Sequence, residues 1–309
     1  MRSSGDASGL DGLDGLVEAK QQRGLTVSVC VPARDEEATV GSIVATVRRE
    51  LCERVQLVDE VVVMDDGSTD ATAEAARWEG ARVVAVEGVL PELPAGSGKG
   101  NALWKSLYAC DGDVLCWVDA DIRNFGPHFV TDLVAPLLTT EDVGMTKAFY
   151  RRPLHGAPSG GGRVTELVAR PALSYLFPQL TTFVQPLAGE YAGRRDVFEV
   201  VPFVEGWGVE IGLLIDVVAR FGPGVIAQVD LGVREHRNRP LADLGPQALA
   251  VLATVLRRAG VERADALRTE LVRYDDDLQP ERVAVEVRER PPMLTVPAYR
   301  AKFGREQSA

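Results

Sequence analysis

Short apolar runs alternate with segments of helical spacing through the first half of the chain. "LTVSVCVPA", from Leu25, has the make-up of a buried strand, and "EEATVGSIVATVRREL" has the spacing of an amphipathic helix. The pattern continues with strand "VDEVVVMDD", then helix "STDATAEAARWEG", opened by a Ser or Asp cap and closed at Gly80. Strand "ARVVAVE", helix "GNALWKSLYAC" and strand "GDVLCWVDAD" complete the series. Strands alternating with helices predict an α/β fold whose central sheet is mostly parallel and flanked by helices. In such sheets ligands bind beyond the carboxyl ends of the strands. Three polar clusters fall there: Pro32–Glu37, Asp65–Asp70 and Asp119–Asp121.

The second half is more mixed. "SGGGRVTELVARP" opens one helix, and "EGWGVEIGLLIDVVARFG" contains another. "GVIAQVDLGVREHRNRP" is a strand running into a charged loop, and residues 243–273 read as helical. A late edge strand and a Pro-rich tail are expected from "DDDLQPERVAVEVRERPP". Residues 1–24, rich in Gly, Asp and Ser, read as a mobile N-terminal arm with one helical turn near "LVEAKQQ". No linker divides the remainder into independent domains.

Composition narrows the function. The net charge of −11 gives a long-range field of the wrong sign for nucleic acid or an anionic membrane, so neither is expected as a partner. An anionic small substrate would need a locally basic pocket. Cys30, Cys52, Cys110 and Cys116 show no CxxC or Cys/His ligand spacing and read as reduced thiols of a cytoplasmic protein. No apolar stretch approaches the roughly 20 residues of a membrane span, and the N-terminus lacks a signal-peptide core.

Each candidate site has a plain structural reading beside a chemical one. Asp119 and Asp121 share a face at a strand end, where they either meet water or hold a hard divalent cation with phosphate oxygens. Asp66 either caps the next helix or binds a ribose hydroxyl or base edge. "PAGSGKGNALW" is not a P-loop, because position 93 is Leu and position 100 is Gly. What remains is a loop that brings Lys99 to a phosphate, or a solvated lysine. "GGGRVTE" offers free backbone N–H groups at a helix start, the Arg163 fork and the Thr165 hydroxyl to an anion; otherwise it is a surface loop. "REHRNRP" is either a solvated basic loop or the source of His236 for a metal and Asn238 for an acceptor oxygen. Trp207 is placed to stack on a ring. Glu210 either serves the helix dipole or holds hydroxyls. His128 and His155 read as structural or surface residues.

The order of these segments is informative. "VCVPARDEEATV", "VVVMDDGSTDAT" and "WVDADI" resemble the opening, second-strand and D-x-D motifs of GT-A-fold glycosyltransferases. "GSGKGNALWKSL", "KAFYRRPL", "GGGRVTELVARP", "QPLAGEYAGRRD", "GWGVEIGLLID" and "QVDLGVREHRNRPL" resemble glucosyl-3-phosphoglycerate synthases and, equally, bacterial mannosyl-3-phosphoglycerate synthases. The match runs from about residue 25 to 245, with the Arg-Pro-Pro tail near 290 in keeping. The resemblance implies retaining transfer of mannose or glucose from GDP-mannose, GDP-glucose or UDP-glucose to the 2-hydroxyl of D-3-phosphoglycerate. It also implies a divalent cation (Mg²⁺ first, Mn²⁺ or Co²⁺ as alternatives) and a homodimer. Residues 25–150 would form the nucleotide-sugar half and 151–309 the acceptor half and tail of one domain.

By the same resemblance, Pro32, Ala33, Arg34, Glu36, Asp66, Lys99, Asp119, Ala120 and Trp207 would face the donor. Asp121 and His236 would hold the metal. Gly162, Arg163, Thr165 and Asn238 would hold the acceptor, and Asp121, Lys99 and Glu210 would carry the chemistry. Asp35 replaces the family's Asn, Asp66 stands at a Ser position of the glucosyl enzymes, and Trp207 stands at a Tyr position. These departures leave the base and sugar open. Two rivals are a sugar nucleotidyltransferase and a non-catalytic nucleotide-sugar-binding protein. The first usually carries a Gly-rich, Arg/Lys-bearing loop where this chain has "PARDEEAT". The second leaves the metal and acceptor motifs without a use.

Overall fold

A computed structural model describes residues 10–154, 157–235, 240–261, 268–274 and 277–305. The first half follows the expected alternation. Strands β1 (Val27–Ala33), β2 (Glu60–Asp65), β3 (Arg82–Ala85) and β4 (Val114–Trp117) are separated by α2 (Val40–Thr46), α3 (Thr72–Trp78) and α4 (Gly98–Ala109). Helix α1 (Leu10–Gln22) precedes them, and α5 (His128–Thr139) leads to β5 (Met145–Arg151).

A small hairpin, β6 (Pro153–Leu154) with β7 (Ala157–Gly160), precedes a π turn (Thr165–Ala169) and α6 (Arg170–Leu176). Then come β8 (Tyr191–Arg194), α7 (Arg195–Phe198), β9 (Phe203–Val204), α8 (Val209–Phe221), β10 (Ile226–Val233) and α9 (Gly245–Arg258). The chain closes with hairpin β11 (Arg268–Tyr274)–β12 (Pro280–Glu286), β13 (Glu289–Arg290) and α10 (Pro297–Phe303). No helix among the described residues is long and apolar enough to cross a membrane.

The central sheet runs β10-β5-β8-β4-β1-β2-β3. It is parallel except at β8, which lies antiparallel to both β4 and β5. Side chains alternate between two cores, as strand geometry requires. Val29, Val31, Val61, Val63, Val114 and Cys116 face α2 and α5. Cys30, Val62, Met64, Leu115 and Trp117 face α4 and α8. Because β8 runs against its neighbours, its start meets the carboxyl end of β4. That brings Gly189 and Glu190 beside Asp119.

Three expectations are corrected. Residues 10–22 form a full helix rather than a mobile arm with one turn. Leu13 and Leu16 are buried against the α5 side of the sheet, and Lys20 Nζ lies 2.7 Å from Asp59 Oδ1. The helix expected over 243–273 stops at Arg258, and 268–274 is a strand paired with β12. Helix α3 begins after Ala71 with no side-chain cap; Asp70 instead accepts the Thr72 N–H at 3.0 Å.

Candidate active site

The strand ends open into one cavity of about 630 Å³, a size usual for a small-molecule site. Pro32 and Ala33 at the end of β1, Arg34 and Glu36 just beyond it, Asp66 after β2, and Asp119, Ala120 and Asp121 after β4 line one side. Lys99, Trp207 and Glu210 line the adjoining wall, and Gly162, Arg163 and Thr165 face in from the other half of the chain. His236 and Asn238 lie outside the described residues, as does His155. His128 opens α5 with its ring 4.7 Å from that of Phe129.

The carboxylates and cations of the cavity are tightly paired. Lys99 sits in the first turn of α4, not in a solvated loop. Its Nζ lies 2.6 Å from Asp119 Oδ1 and 2.8 Å from Glu210 Oε1. Arg234 Nη2 lies 2.8 Å from both Asp119 Oδ2 and Asp121 Oδ1, bridging the D-x-D pair. Burial alone would raise the Asp119 carboxyl, yet Lys99 and Arg234 hold it well below the usual carboxylate range. Burial disfavours the Lys99 ammonium, but Asp119 and Glu210 outweigh it and keep the amine charged. Asp66 differs: burial lifts its carboxyl, and Arg34 and the Gly98 N–H offset only part of the rise. Asp35, the departure from the family's Asn, accepts the Thr69 N–H at 2.7 Å and ties the β1 and β2 loops together.

Several functional groups escaped the sequence reading. Glu190 is fully buried, with its Oε1 2.7 Å from Arg234 Nε. Tyr150 donates to Glu190 Oε2 at 2.6 Å, and Arg152, which also lines the cavity, donates to the Tyr150 hydroxyl at 2.7 Å. A continuous polar chain thus joins Arg152 on the Gly162–Thr165 side to the D-x-D pair. Gly189 forms the floor: a Cβ there would stand 2.4 Å from Asp119 Oδ2 and 2.7 Å from Lys99 Nζ, so any side chain would push that ion pair aside.

Lys147, in mid-strand on β5, is a buried ammonium below this floor. It donates to Ala188 O at 2.9 Å and lies 5.0 Å from the centre of the Tyr191 ring. Burial pushes it down to about 8, with Glu210 opposing and Lys99 assisting the shift. The unfolded chain therefore holds a proton that the folded chain lacks between about pH 8 and the ordinary lysine value of 10.5. Stability contributed by this site rises with pH across that window and is lost as pH falls through it. The stability of wild type relative to Lys147→Met, from urea denaturation, is expected to climb over that range. A flat difference would show an ordinary lysine.

The donor atoms suit a hard divalent cation. Mg²⁺ and Mn²⁺ take one or two carboxylates and complete their shells with phosphate oxygens. Both Asp119 oxygens are held by cationic side chains, which leaves Asp121 as the carboxylate best placed to ligate. No group of three His, Cys, Asp or Glu that could hold a metal occurs among the described residues.

A mostly parallel sheet with a D-x-D pair and a nucleotide-sized cavity at its strand ends defines a GT-A glycosyltransferase. The family model for Glycosyl transferase family 2 matches residues 28–199. The chain is 44% identical to the glucosyl-3-phosphoglycerate synthase of Petrotoga mobilis, over 99% of this chain and 98% of that protein. It is 50% identical to that of Mycolicibacterium smegmatis, over 88% and 90% respectively. A crystal structure of the Mycobacterium tuberculosis enzyme in complex with Mn²⁺, UDP-glucose and phosphoglyceric acid superposes with TM-score 0.82 and 45% identity, over 95% of this chain and 96% of that one. The chain belongs to the glucosyl-3-phosphoglycerate synthase family of glycosyltransferases.

Proposed function

We propose that this enzyme transfers glucose, with retention, from UDP-glucose to the 2-hydroxyl of D-3-phosphoglycerate, with Mn²⁺ or Mg²⁺ bound. The observation that carries the reading is the two-sided cavity. D-x-D carboxylates and Lys99 line one side, and Gly162, Arg163 and Thr165 the other, with Arg152 beside them. The relatives above support glucose over mannose and UDP over GDP.

In this reading Pro32, Ala33, Arg34, Glu36 and Asp66 hold the nucleoside end of the donor. Trp207 and Glu210 border the sugar. Asp121 and His236 hold the cation, which when bound offsets charge growing on the leaving diphosphate. Lys99 adds a fixed positive charge there and needs no reorganisation, because Asp119 and Glu210 already hold it. Gly162, Arg163, Thr165 and Asn238 bind the phosphate and carboxylate of the acceptor. The Arg163 fork suits either group.

Glu210 is committed to Lys99 at 2.8 Å and Asp119 to two cations, which makes either a poor nucleophile toward the sugar. That favours front-face transfer. The bond from C1 to the diphosphate oxygen breaks as the acceptor oxygen bonds C1 from the same side. The acceptor's proton passes to the leaving phosphate. Trapping a glycosyl-enzyme adduct would contradict this route.

The test is one assay: purified protein, Mn²⁺ or Mg²⁺, D-3-phosphoglycerate, and UDP-glucose, GDP-glucose or GDP-mannose in turn. Turnover is expected chiefly with UDP-glucose, and NMR should show an α-linked 2-O-glucoside. Preference for GDP-mannose would move the enzyme to the mannosyl branch. Release of pyrophosphate would indicate a nucleotidyltransferase.

A further inference from the structure

Two segments far apart in sequence form the wall beside Lys99, and an arginine from the C-terminal part of the chain fastens them together. Strand β13 pairs antiparallel with β9, placing Arg290 opposite Phe203, and the Glu205 N–H donates to Arg288 O at 2.9 Å. The Arg290 side chain is buried, 6% exposed. Its Nη1 donates to Pro94 O at 2.8 Å and its Nε to Asn101 Oδ1 at 2.9 Å, while Glu205 Oε1 lies 2.8 Å from Nε. The guanidinium lies 5.2 Å from the centre of the Trp104 ring, whose Nε1 donates to Pro291 O at 2.7 Å.

Around this fork the backbones touch. A Cβ on Gly100 would stand 1.8 Å from Val204 O, and one on Gly98 would stand 3.0 Å from Gly206 Cα. A Cβ on Gly96 would stand 1.9 Å from Arg290 Nη2. The first segment carries Lys99; the second carries Trp207 and leads into Glu210. A buried ion pair adds little to stability that well-packed apolar side chains could not supply. A rigid fork reaching two segments does fix their separation.

We propose that Arg290 is a positioning residue of the donor site, holding the 94–100 segment that carries Lys99 in register with the 204–207 segment that carries Trp207. The inference rests on the donor reading above. It extends the site to a side chain that lies outside the cavity lining and 189 residues along the chain from its partner Asn101.

The test uses the full chain and three variants: Arg290→Met, Arg290→Lys and Gly96→Ala. The last keeps every charge and adds one methyl where the fork sits. Calorimetry measures UDP with Mn²⁺, and kinetics separate the KM for UDP-glucose from that for D-3-phosphoglycerate. Arg290→Met and Gly96→Ala are expected to weaken UDP binding and raise donor KM about tenfold, short of the roughly hundredfold that a misplacement of about 1 Å can cost. Acceptor KM should stay within about twofold. Arg290→Lys, which keeps the charge without the fork, should fall between. Unchanged UDP affinity in the variants, or donor and acceptor KM rising together, would overturn the inference. If Arg290→Met does not fold, the other two variants decide. Failure of the wild type to bind UDP with Mn²⁺ would instead overturn the donor reading and this inference with it.

Discussion

Asp121→Ala is expected to lower kcat/KM by about a thousandfold or more while the melting temperature hardly moves. Losing the carboxylate that anchors the cation removes several kcal/mol of charge stabilisation, and each 1.36 kcal/mol is about tenfold in rate. The fold should survive because Asp121 is only one of three acids on Arg234. Asp119 Oδ2 at 2.8 Å and Glu190 Oε1 at 2.7 Å remain. Titration of Mn²⁺ with UDP should show the loss directly. Near-normal turnover, or unchanged metal binding, would remove Asp121 from the metal site.

Arg234→Met is expected to have the largest effect on stability, about 3–5 kcal/mol in urea denaturation near neutral pH. The change strands Glu190, which is fully buried and has Arg234 as its ion-pair partner among the described residues. It also leaves Asp119 and Asp121 without the guanidinium that bridges them. Adding Glu190→Gln should recover part of the loss, because a neutral amide still accepts from the Tyr150 hydroxyl. A loss below about 1 kcal/mol, or no recovery in the double variant, would show that Glu190 does not depend on this partner.

The strand-end chemistry was legible because it is local. An apolar run followed by clustered acids states both the strand and where it ends, so Asp66, Asp119 and Asp121 were found without any tertiary information. Strand β8 was missed because "YAGR" is only four residues long and contains a glycine, which leaves no alternating apolar run to read. The late strand expected from "DDDLQPERVAVEVRERPP" is β12, but its partner β11 was missed because "RTELVRY" carries its apolar residues at spacings a helix also uses. Helix α1 hid behind its Gly-Asp repeat: Leu13 and Leu16 earn their place only by packing beneath the sheet.

In the chain from Arg152 through Tyr150 and Glu190 to Arg234 only Tyr150 and Arg152 are near in sequence; strand order brings the others to them. Lys147 left one signal, a lysine in the middle of an apolar strand in a protein with five lysines.

The reversed strand limits how relatives of this enzyme can be recombined. A chimaera spliced near residue 150 would join the two halves as if they were modules. Yet β4 from the first half is registered against β8 from the second, Trp117 opposite Tyr191 and Val114 opposite Arg194. Trp117 also packs 4.7 Å from Phe198. A hybrid that inherits one side of this aromatic cluster without the other would carry a mismatched seam through the middle of its sheet, directly under its own active site.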